Sequence, residues 1–415
     1  MSLGYLRVAT AGESHGPQLT IVVQNLPAGM PIRAEDINLD LARRQKGYGR
    51  GGRQQIESDQ VEIVGGVRHG VTMGGPVAMV VRNLDWPNWQ GRMDVEPVAV
   101  PPPPVTRLRP GHADLAGAVK YGHQDVRNVL ERASARETAS RVAAGALAKV
   151  FLRHFGIELR SHVASIGPSR ATVPEELRVS RDAAGHDWWQ RVEESDLRTG
   201  DAAFAQAART LIKEARTAGD TLGGIFEVIA YGVPIGLGTY AQWDERLDTR
   251  LAAAMMSIPS VKGVEIGDAF ANAAHHGSQV HDIIDYQPEE GGWRRPTNRA
   301  GGLEGGVTNG APLIVRGAAK PISTLIRPLP SIDLATRERS VAHVERSDVC
   351  VVPAAGVVGE AMVALVLADA ARLKFGGDSL QEALANCHAS IQRSEFRKPS
   401  FQQTGNELGA SDSER

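Results

Sequence analysis

The sequence predicts an α+β fold in which strands and helices do not follow a regular βαβ order. Short runs rich in β-branched residues predict strands at residues 19–24, 77–82, 225–231 and 312–316. Helical spacing of apolar residues predicts helices at residues 34–45, 134–155, 202–218, 247–256 and 358–375. No G-x-G-x-x-G motif follows the first strand, which disfavours a doubly wound dinucleotide-binding fold. A layered α+β domain fits the pattern best.

Each element is supported by residue type and spacing. The predicted strands read LTIVVQ, VAMVVR, IFEVIAY and PLIVR, and β-branched residues suit a pleated, half-buried surface. The helix at 134–155 has an explicit start signal, because Ser134 and Glu137 have the Ser-x-x-Glu form of a capping box. Small residues between Ala139 and Ala148 make this helix thin, so it can pack closely against its neighbours.

The composition is that of a folded protein, with 415 residues, 42% hydrophobic and 23% charged. The length allows two or three domains, or one large one. A net charge of −2 gives no support for binding to nucleic acid or to a membrane. Cys350 and Cys387 are too few for a disulfide framework and are expected to be small buried residues. The chain start lacks a secretory leader, and Glu360 and Asp369 interrupt the longest apolar run, so we expect a cytoplasmic protein.

The first concentrated polar motif is Gly12-Glu13-Ser14-His15-Gly16. It fits the G-x-S-x-G form of a serine hydrolase nucleophile elbow, but such an elbow lies between a strand and a helix. Here a strand follows the motif close to the start of the chain, so the hydrolase interpretation is rejected. A serine and a histidine on a flexible loop indicate a functional role, with a purely structural loop as the alternative.

A second histidine, His112, lies in the segment RLRPGHAD that follows the stiff proline run at 101–104. Histidine is the side chain best suited to proton transfer near neutral pH. A single histidine in a turn is also compatible with an ordinary hydrogen-bonding role. Because His15 and His112 lack metal-ligand spacing, and His275 and His276 are adjacent and cannot share a face, we expect no metal site.

Basic residues and glycines are concentrated between residues 43 and 53, where five cations and four glycines occur. A mobile surface loop and an RNA-binding segment are two explanations, but RNA-binding segments of this type are usually repeated and disordered. The single copy in a nearly neutral chain favours a lid over a small polyanion. Arg132 and Arg136 flank a predicted helix start, where anions bind favourably, with solvated arginines on a capped helix as the alternative.

Three later segments have the same character: the glycine-rich stretch at 301–310, the sequence KPIST at 320–324, and Arg346-Ser347-Asp348. Each signal is weak alone. Together they describe a glycine-framed cleft with many arginines and two loop histidines. Such a cleft suits a substrate with several negative charges and a reaction that transfers protons without a metal.

In this order, the motifs resemble the chorismate synthase family. The match extends from residue 6 to about residue 372 and includes GESHG, GYGRGGR, RPGHAD, RASARET, SIPSVKGVEIGD and the three later segments. The resemblance implies one domain at residues 1–394 with a β-α-β sandwich fold, assembled as a homotetramer. The polar tail at 395–415 is expected to be disordered.

The implied reaction is the anti 1,4-elimination of phosphate from 5-enolpyruvylshikimate 3-phosphate to give chorismate, the last step of the shikimate pathway. It requires reduced FMN, because a base alone would struggle to remove hydrogen from a non-acidic ring carbon, whereas a flavin can lend and recover electron density. NADPH is the implied reductant. Either the enzyme reduces its own flavin or an external flavin reductase does, and the lack of a separate nicotinamide-binding domain in the sequence favours the external reductase.

The resemblance also implies roles for individual residues. His15 protonates the departing phosphate with Ser14 in its relay, Ser134 assists catalysis, His112 protonates the reduced flavin near N1, and Asp348 assists on the N5 side. The implied substrate-binding residues are Arg44, Arg50, Arg53, Arg136 and Arg346, of which Arg44 and Arg50 also match positions assigned to nicotinamide dinucleotide phosphate. The implied flavin-binding residues are Arg132, Ala133, Ser134, Pro259, Ser260, Gly305, Lys320, Pro321, Ile322, Ser323, Thr324 and Arg346. Many members have serine at Ala133, so a contact there must use the backbone.

Overall fold

The computed structural model describes residues 4–51, 58–180, 186–287, 292–345 and 347–394. The strands are β1 (Arg7–Ala11), β2 (Gln18–Gln24), β3 (Val61–Gly65), β4 (Val67–Arg68), β5 (Val71–Thr72), β6 (Val77–Arg82), β7 (Glu158–Ile166), β8 (Ser169–Arg170), β9 (Gly224–Tyr231), β10 (Val261–Ile266), β11 (Asp285–Gln287), β12 (Gly292–Arg294), β13 (Leu303–Glu304), β14 (Val307–Thr308), β15 (Leu313–Ala319), β16 (Pro330–Ile332) and β17 (Arg339–Val341). The helices are α1 (Ala34–Gln45), α2 (Asp114–Tyr121), α3 (Arg127–Arg132), α4 (Thr138–Arg153), α5 (His186–Glu194), α6 (Ala202–Ala218), α7 (Leu247–Met256), α8 (Ala269–Asn272), α9 (Gly277–Val280), α10 (Val352–Phe375) and α11 (Leu380–Ser394).

One antiparallel sheet has the strand order β1-β2-β6-β3. Along β2, buried and half-buried residues alternate, with Leu19, Ile21 and Val23 directed into the core. This alternation is that of a sheet with one covered face. The strands predicted at 19–24 and 77–82 are confirmed as β2 and β6.

A second antiparallel sheet has the order β10-β15-β9-β7-β8. The predictions at 225–231 and 312–316 are confirmed as β9 and β15, although β15 continues to Ala319. A layer containing α1, α4, α7 and α10 separates the two sheets: α4 packs on β1 and β2 of the first sheet, and α10 on β7 and β9 of the second. The molecule is therefore the predicted α+β fold with a β-α-β sandwich.

The helical layer depends on close approach between α4 and α10. A Cβ added to Gly145 would lie 2.3 Å from Ala361 Cβ, so only glycine fits there. This contact confirms the prediction of a thin, closely packed helix. By length and composition alone α10 could cross a membrane, but its most apolar 18-residue window is wholly buried inside the protein. Cys350 and Cys387 are free and buried, as predicted.

Two helix starts differ from the prediction. The segment after Ser134 first forms a 3₁₀ turn, Ala135–Glu137, because the Ser134 hydroxyl accepts the Arg136 N–H, and α4 begins only at Thr138. Helix α10 begins at Val352, six residues earlier than predicted, with Pro353 in its first turn. Proline suits that position because its missing N–H would have no partner in the first turn of a helix. The predicted tail at 395–415 lies outside the described residues.

A buried ionic cluster joins three helices of the central layer. Glu360 of α10 is fully buried and pairs with Arg43 of α1, Lys149 of α4 and Arg198. Burial would raise the pKa of Glu360, but the charges of Arg43 and Lys149 hold it well below its usual value. The cluster fixes the last turn of α1, where the next residue, Arg44, turns towards the candidate site.

Candidate active site

The predicted site segments meet in a pocket with a volume of about 570 Å³. Its wall is formed by the β1–β2 loop, the end of α1, the turns before α2 and α4, the segments after α7 and β15, and the start of α10. The predicted site residues that line it are Ser14, His15, Arg44, Arg50, His112, Ala133, Ser134, Arg136, Pro259, Ser260, Lys320, Ile322, Ser323, Thr324 and Asp348. The fold thus joins segments from both ends of the chain.

His15 is held on one edge and one face. Its Nδ1 lies 2.9 Å from Glu131 Oε1, and its ring stacks on Trp89 with 3.8 Å between the ring centroids. Ser14 is buried beside it, and the Ser134 hydroxyl donates to the Ser14 hydroxyl at 3.0 Å. Because β2 follows this loop directly and no helix does, the structure agrees with rejecting a nucleophile elbow.

His112 has its own carboxylate partner in the turn before α2. Its Nδ1 lies 2.5 Å from Oδ1 of the buried Asp114, which also accepts hydrogen bonds from Arg109. Burial would raise the pKa of Asp114, but hydrogen bonds from His112 and Arg109 lower it to about 2. Arg109 also donates to Thr324 at 2.9 Å, which ties the His112 turn to the segment after β15.

Two of the predicted substrate-binding arginines share one buried carboxylate. Arg44 Nη1 lies 3.3 Å from Asp59 Oδ2, and Arg136 pairs with the other oxygen of Asp59. Arg44 also donates to Thr138 and to the carbonyl of Ala135. Burial and repulsion from Arg50 and Arg136 lower the pKa of Arg44 to about 10, although attraction by Asp59 acts in the opposite direction. An additional anion would stabilise this group of cations.

Asp348 connects the loop that follows α1 to the segment before α10. Arg50 Nη1 lies 2.9 Å from Asp348 Oδ2, and the Gly51 N–H donates to Asp348 Oδ1 at 2.5 Å. A Cβ on Gly51 would lie 2.9 Å from the Ser347 carbonyl oxygen, so the close approach requires glycine. Arg50 Nε is buried without a hydrogen-bond partner among the described residues, which is consistent with a site for an external anion.

The other side of the pocket combines apolar and polar groups. Ile258, Ile322, Val351 and Val358 supply apolar surface, and the first turn of α10 adds a helix N-terminus that favours anions. The pKa of Lys320 is lowered by burial and by Lys262, so a bound phosphate would stabilise its ammonium group. An apolar wall beside hydroxyls and an ammonium fits a flavin ring with a phosphate, and the volume lies in the usual range for cofactor sites.

Some predicted site residues lie elsewhere. Arg132 is exposed and donates to the carbonyls of Gly12 and Thr10, so it supports the His15 loop from outside the pocket. Pro321 does not line the pocket, although its neighbours do. Gly305 lies in the turn between β13 and β14, away from the pocket wall. Arg53 and Arg346 lie outside the described residues, and their binding roles stay predictions.

The polar and aromatic residues at the site that were not singled out from the sequence include Glu131, Trp89 and Asp59. The only local signal for Glu131 was Arg127 four residues earlier, a spacing that brings the two onto one face of α3. Trp89 follows the short 3₁₀ turn Trp86–Asn88, and no periodicity in the sequence predicts its position. Asp59 contacts arginines that are far from it in sequence, so no local pattern could indicate it.

Comparisons with known proteins identify the family of the chain. The family model described as chorismate synthase matches residues 6–371. A chorismate synthase from Moorella thermoacetica is 55% identical over 390 residues, covering 93% of this chain and 99% of that protein, and one from Geotalea daltonii is 53% identical over 391 residues, covering 92% and 97%. A solved structure titled "Crystal Structure of Chorismate Synthase" superposes with a TM-score of 0.76 at 41% identity, covering 94% of this chain and 98% of that one. The chain belongs to the chorismate synthase family.

Proposed function

We propose that this pocket binds 5-enolpyruvylshikimate 3-phosphate together with reduced FMN and carries out the family's elimination there. The family reaction is that of a carbon–oxygen lyase, gives chorismate and requires a reduced flavin. The observation that carries the proposal is the convergence of two carboxylate-paired histidines, three arginines and the Lys320 segment on one pocket. Reduced flavin, when bound, supplies electron density transiently and recovers it, so the net reaction is redox-neutral.

Arg44, Arg50 and Arg136 bind the phosphate and carboxylates of the substrate in this proposal. Their support is the positive character of the cluster, because three guanidinium groups share the carboxylates of Asp59 and Asp348 among the described residues. A planar guanidinium binds phosphate and carboxylate through paired hydrogen bonds. Arg44 and Arg136 are held by the buried Asp59, and Arg50 by the half-buried Asp348, before substrate arrives, which reduces the entropy lost on binding.

His15 then donates a proton to the departing phosphate, with Ser14 and Ser134 forming a hydroxyl pair beside it. His112, which is oriented by Asp114, would hold a proton for the N1 side of a bound flavin. Asp348 would assist on the N5 side of a bound flavin as the ring hydrogen leaves, and its contact with Arg50 holds it beside the arginines proposed to bind the substrate anion. Each step uses a side chain of this chain and no metal ligand.

The flavin contacts proposed are those residues of the predicted set that line the pocket, namely Ala133, Ser134, Pro259, Ser260, Lys320, Ile322, Ser323 and Thr324. Ser260 has a backbone φ of 73°, a conformation that non-glycine residues adopt rarely and that occurs preferentially at functional sites. Gly305 lies away from the pocket of its own chain, so we propose that it reaches flavin from another subunit of a homotetramer.

NADPH supplies the reducing equivalents in this proposal, through an external flavin reductase in a cytoplasmic setting. Replacing dithionite by NADPH in anaerobic turnover with the purified protein tests this point. Chorismate formation with NADPH alone would contradict the need for a separate reductase.

The residue roles are tested with His15→Ala and His112→Ala. Each variant should lower anaerobic turnover about 10²–10⁴-fold, the usual contribution of a general acid or base, while the circular dichroism spectrum stays that of the parent. Flavin binding, followed by fluorescence, should persist in His15→Ala. Turnover within a few-fold of the parent in both variants would mean that the proton-transfer roles are wrong.

A further inference from the structure

Glu131 contacts the His15 loop through its main-chain carbonyl and both of its carboxylate oxygens. Its main-chain carbonyl accepts the Ser14 N–H at 3.1 Å, Oε2 accepts the His15 N–H at 2.8 Å, and Oε1 lies 2.9 Å from His15 Nδ1. The side chain is 2% exposed. One residue at the end of α3 therefore fixes both the backbone and the ring of the proposed proton donor.

We propose that Glu131 is a positioning residue for His15, selecting which ring nitrogen exchanges protons with the substrate. This inference rests on the proposed role of His15 in the elimination. An ionised carboxylate can only accept hydrogen bonds, so Nδ1 carries the hydrogen of the contact with Glu131. The other nitrogen, Nε2, is then the one that donates a proton to the departing phosphate.

The face of the ring is restrained as well. Trp89 stacks on His15 with an interplanar angle of 24°, and the indole Nε1 donates to Asp85 at 3.1 Å. A ring held at one edge by a carboxylate and at one face by an indole has little freedom to rotate. Such preorganisation keeps the proton in line for transfer and avoids reorganisation during the reaction.

Arg127 links these restraints. Its Nη1 lies 3.3 Å from Glu131 Oε1 and 2.6 Å from Glu345 Oε1, and its guanidinium lies 5.3 Å from the centre of the Trp89 ring. Arg127 thus orients the carboxylate that orients His15, and at the same time supports the indole. The arrangement resembles other sites in which a carboxylate fixes the tautomer of a working imidazole.

Glu131→Gln tests the charge of the side chain and the tautomer of His15 without changing side-chain packing. The amide keeps the size of the side chain, but its NH₂ group can donate to Nδ1, so the opposite tautomer becomes accessible. We expect kcat to fall about 10- to 100-fold, which is the usual loss when the hydrogen-bonding partner of a metal-binding histidine is replaced. KM and flavin affinity should change little. Glu131→Asp, which keeps the charge, should recover part of the loss.

A double-mutant cycle decides whether Glu131 acts through His15. Adding Glu131→Gln to His15→Ala should change kcat by less than about 2-fold, because the group that Glu131 positions is already gone. The matched control is Glu227→Gln, which removes a buried carboxylate lying 3.0 Å from His162 Nε2 away from the pocket. This control should leave kcat of the folded enzyme unchanged. An equal loss from Glu131→Gln with and without His15 would overturn the inference.

The ring nitrogens can also be followed without turnover, by ¹H–¹⁵N correlation of histidine-labelled protein, with the His15 signals assigned from His15→Ala. Protonation of Nδ1 in the parent and a changed pattern in Glu131→Gln are expected. An unchanged pattern would exclude the positioning role, whatever the activity. If the pattern changes but His15→Ala remains active, the proposed catalytic role of His15 fails while the positioning of its ring by Glu131 stands.

Discussion

Replacing Asp59 tests most directly how the positive charge of the pocket is balanced. Its carboxylate is fully buried and pairs with Arg44 and Arg136, whose side chains are 6% and 5% exposed. Asp59→Asn keeps the shape but leaves two buried guanidinium groups without their shared anion. Removing one partner of a buried ion pair typically costs about 3–5 kcal/mol.

This cost can be converted into a melting temperature. An unfolding entropy of about 2.1 cal/mol/K per residue amounts to ~0.9 kcal/mol/K for the 415-residue chain. Asp59→Asn should therefore lower Tm by about 3–6 °C in a buffer without phosphate. Inorganic phosphate should narrow the gap to the parent, because an anion bound by the arginines replaces the lost charge, and binding to the folded state alone raises stability by mass action.

The assay is differential scanning calorimetry over a phosphate titration, with Asp369→Asn as the matched control. Asp369 is a buried carboxylate of α10 that pairs with Arg250 outside the pocket. Its variant should also lose stability, but phosphate should not reduce that loss. The reasoning is refuted if Asp59→Asn melts with the parent, or if phosphate affects the two aspartate variants alike.

Three further predictions concern the fold. Gly145→Ala places a methyl group 2.3 Å from Ala361 Cβ and should destabilise the protein by about 1–3 kcal/mol. The urea midpoint of unfolding should fall accordingly, and an unchanged midpoint would contradict the packing of α4 on α10. Burial would raise the pKa of Glu227, but His162 and Arg316 lower it to about 2. The stabilising contribution of this carboxylate is therefore present above pH 4.5 and is lost as the pH falls towards 2. The difference in urea midpoint between the parent and Glu227→Gln should shrink across that window, and a constant difference would count against the ion pair. Burial raises the pKa of the Cys350 thiol to about 11, so iodoacetamide at pH 8 should label Cys350 only after unfolding, as mass spectrometry of the peptides would show.

Much of the fold could be predicted because its signals are local. The β-branched residues of β2 lie within a few positions of one another, as do the small residues of α4, and both predictions are confirmed. The predicted start of α10, residue 358, was wrong by six residues, although Pro353 marks the first turn of the helix.

The site was harder to predict, since its charge balance depends on distant pairs. His15 and Glu131 are 116 residues apart, and Asp59 and Arg136 are 77 apart. Motifs showed which cations and histidines were concentrated on loops, but not which carboxylates would face them. Those carboxylates orient the histidines and hold the arginines. Their positions depend on the fold, because the helical layer brings segments that are distant in sequence into contact.

Anaerobic turnover of 5-enolpyruvylshikimate 3-phosphate with dithionite-reduced FMN tests the central claim most directly, with chorismate and phosphate measured in the same sample. We expect equal amounts of both products, none without reduced flavin, and a large loss of turnover in His15→Ala at unchanged flavin binding. Folded protein that binds FMN and forms neither product would contradict it, and the arginine pocket would then have to serve a different polyanion.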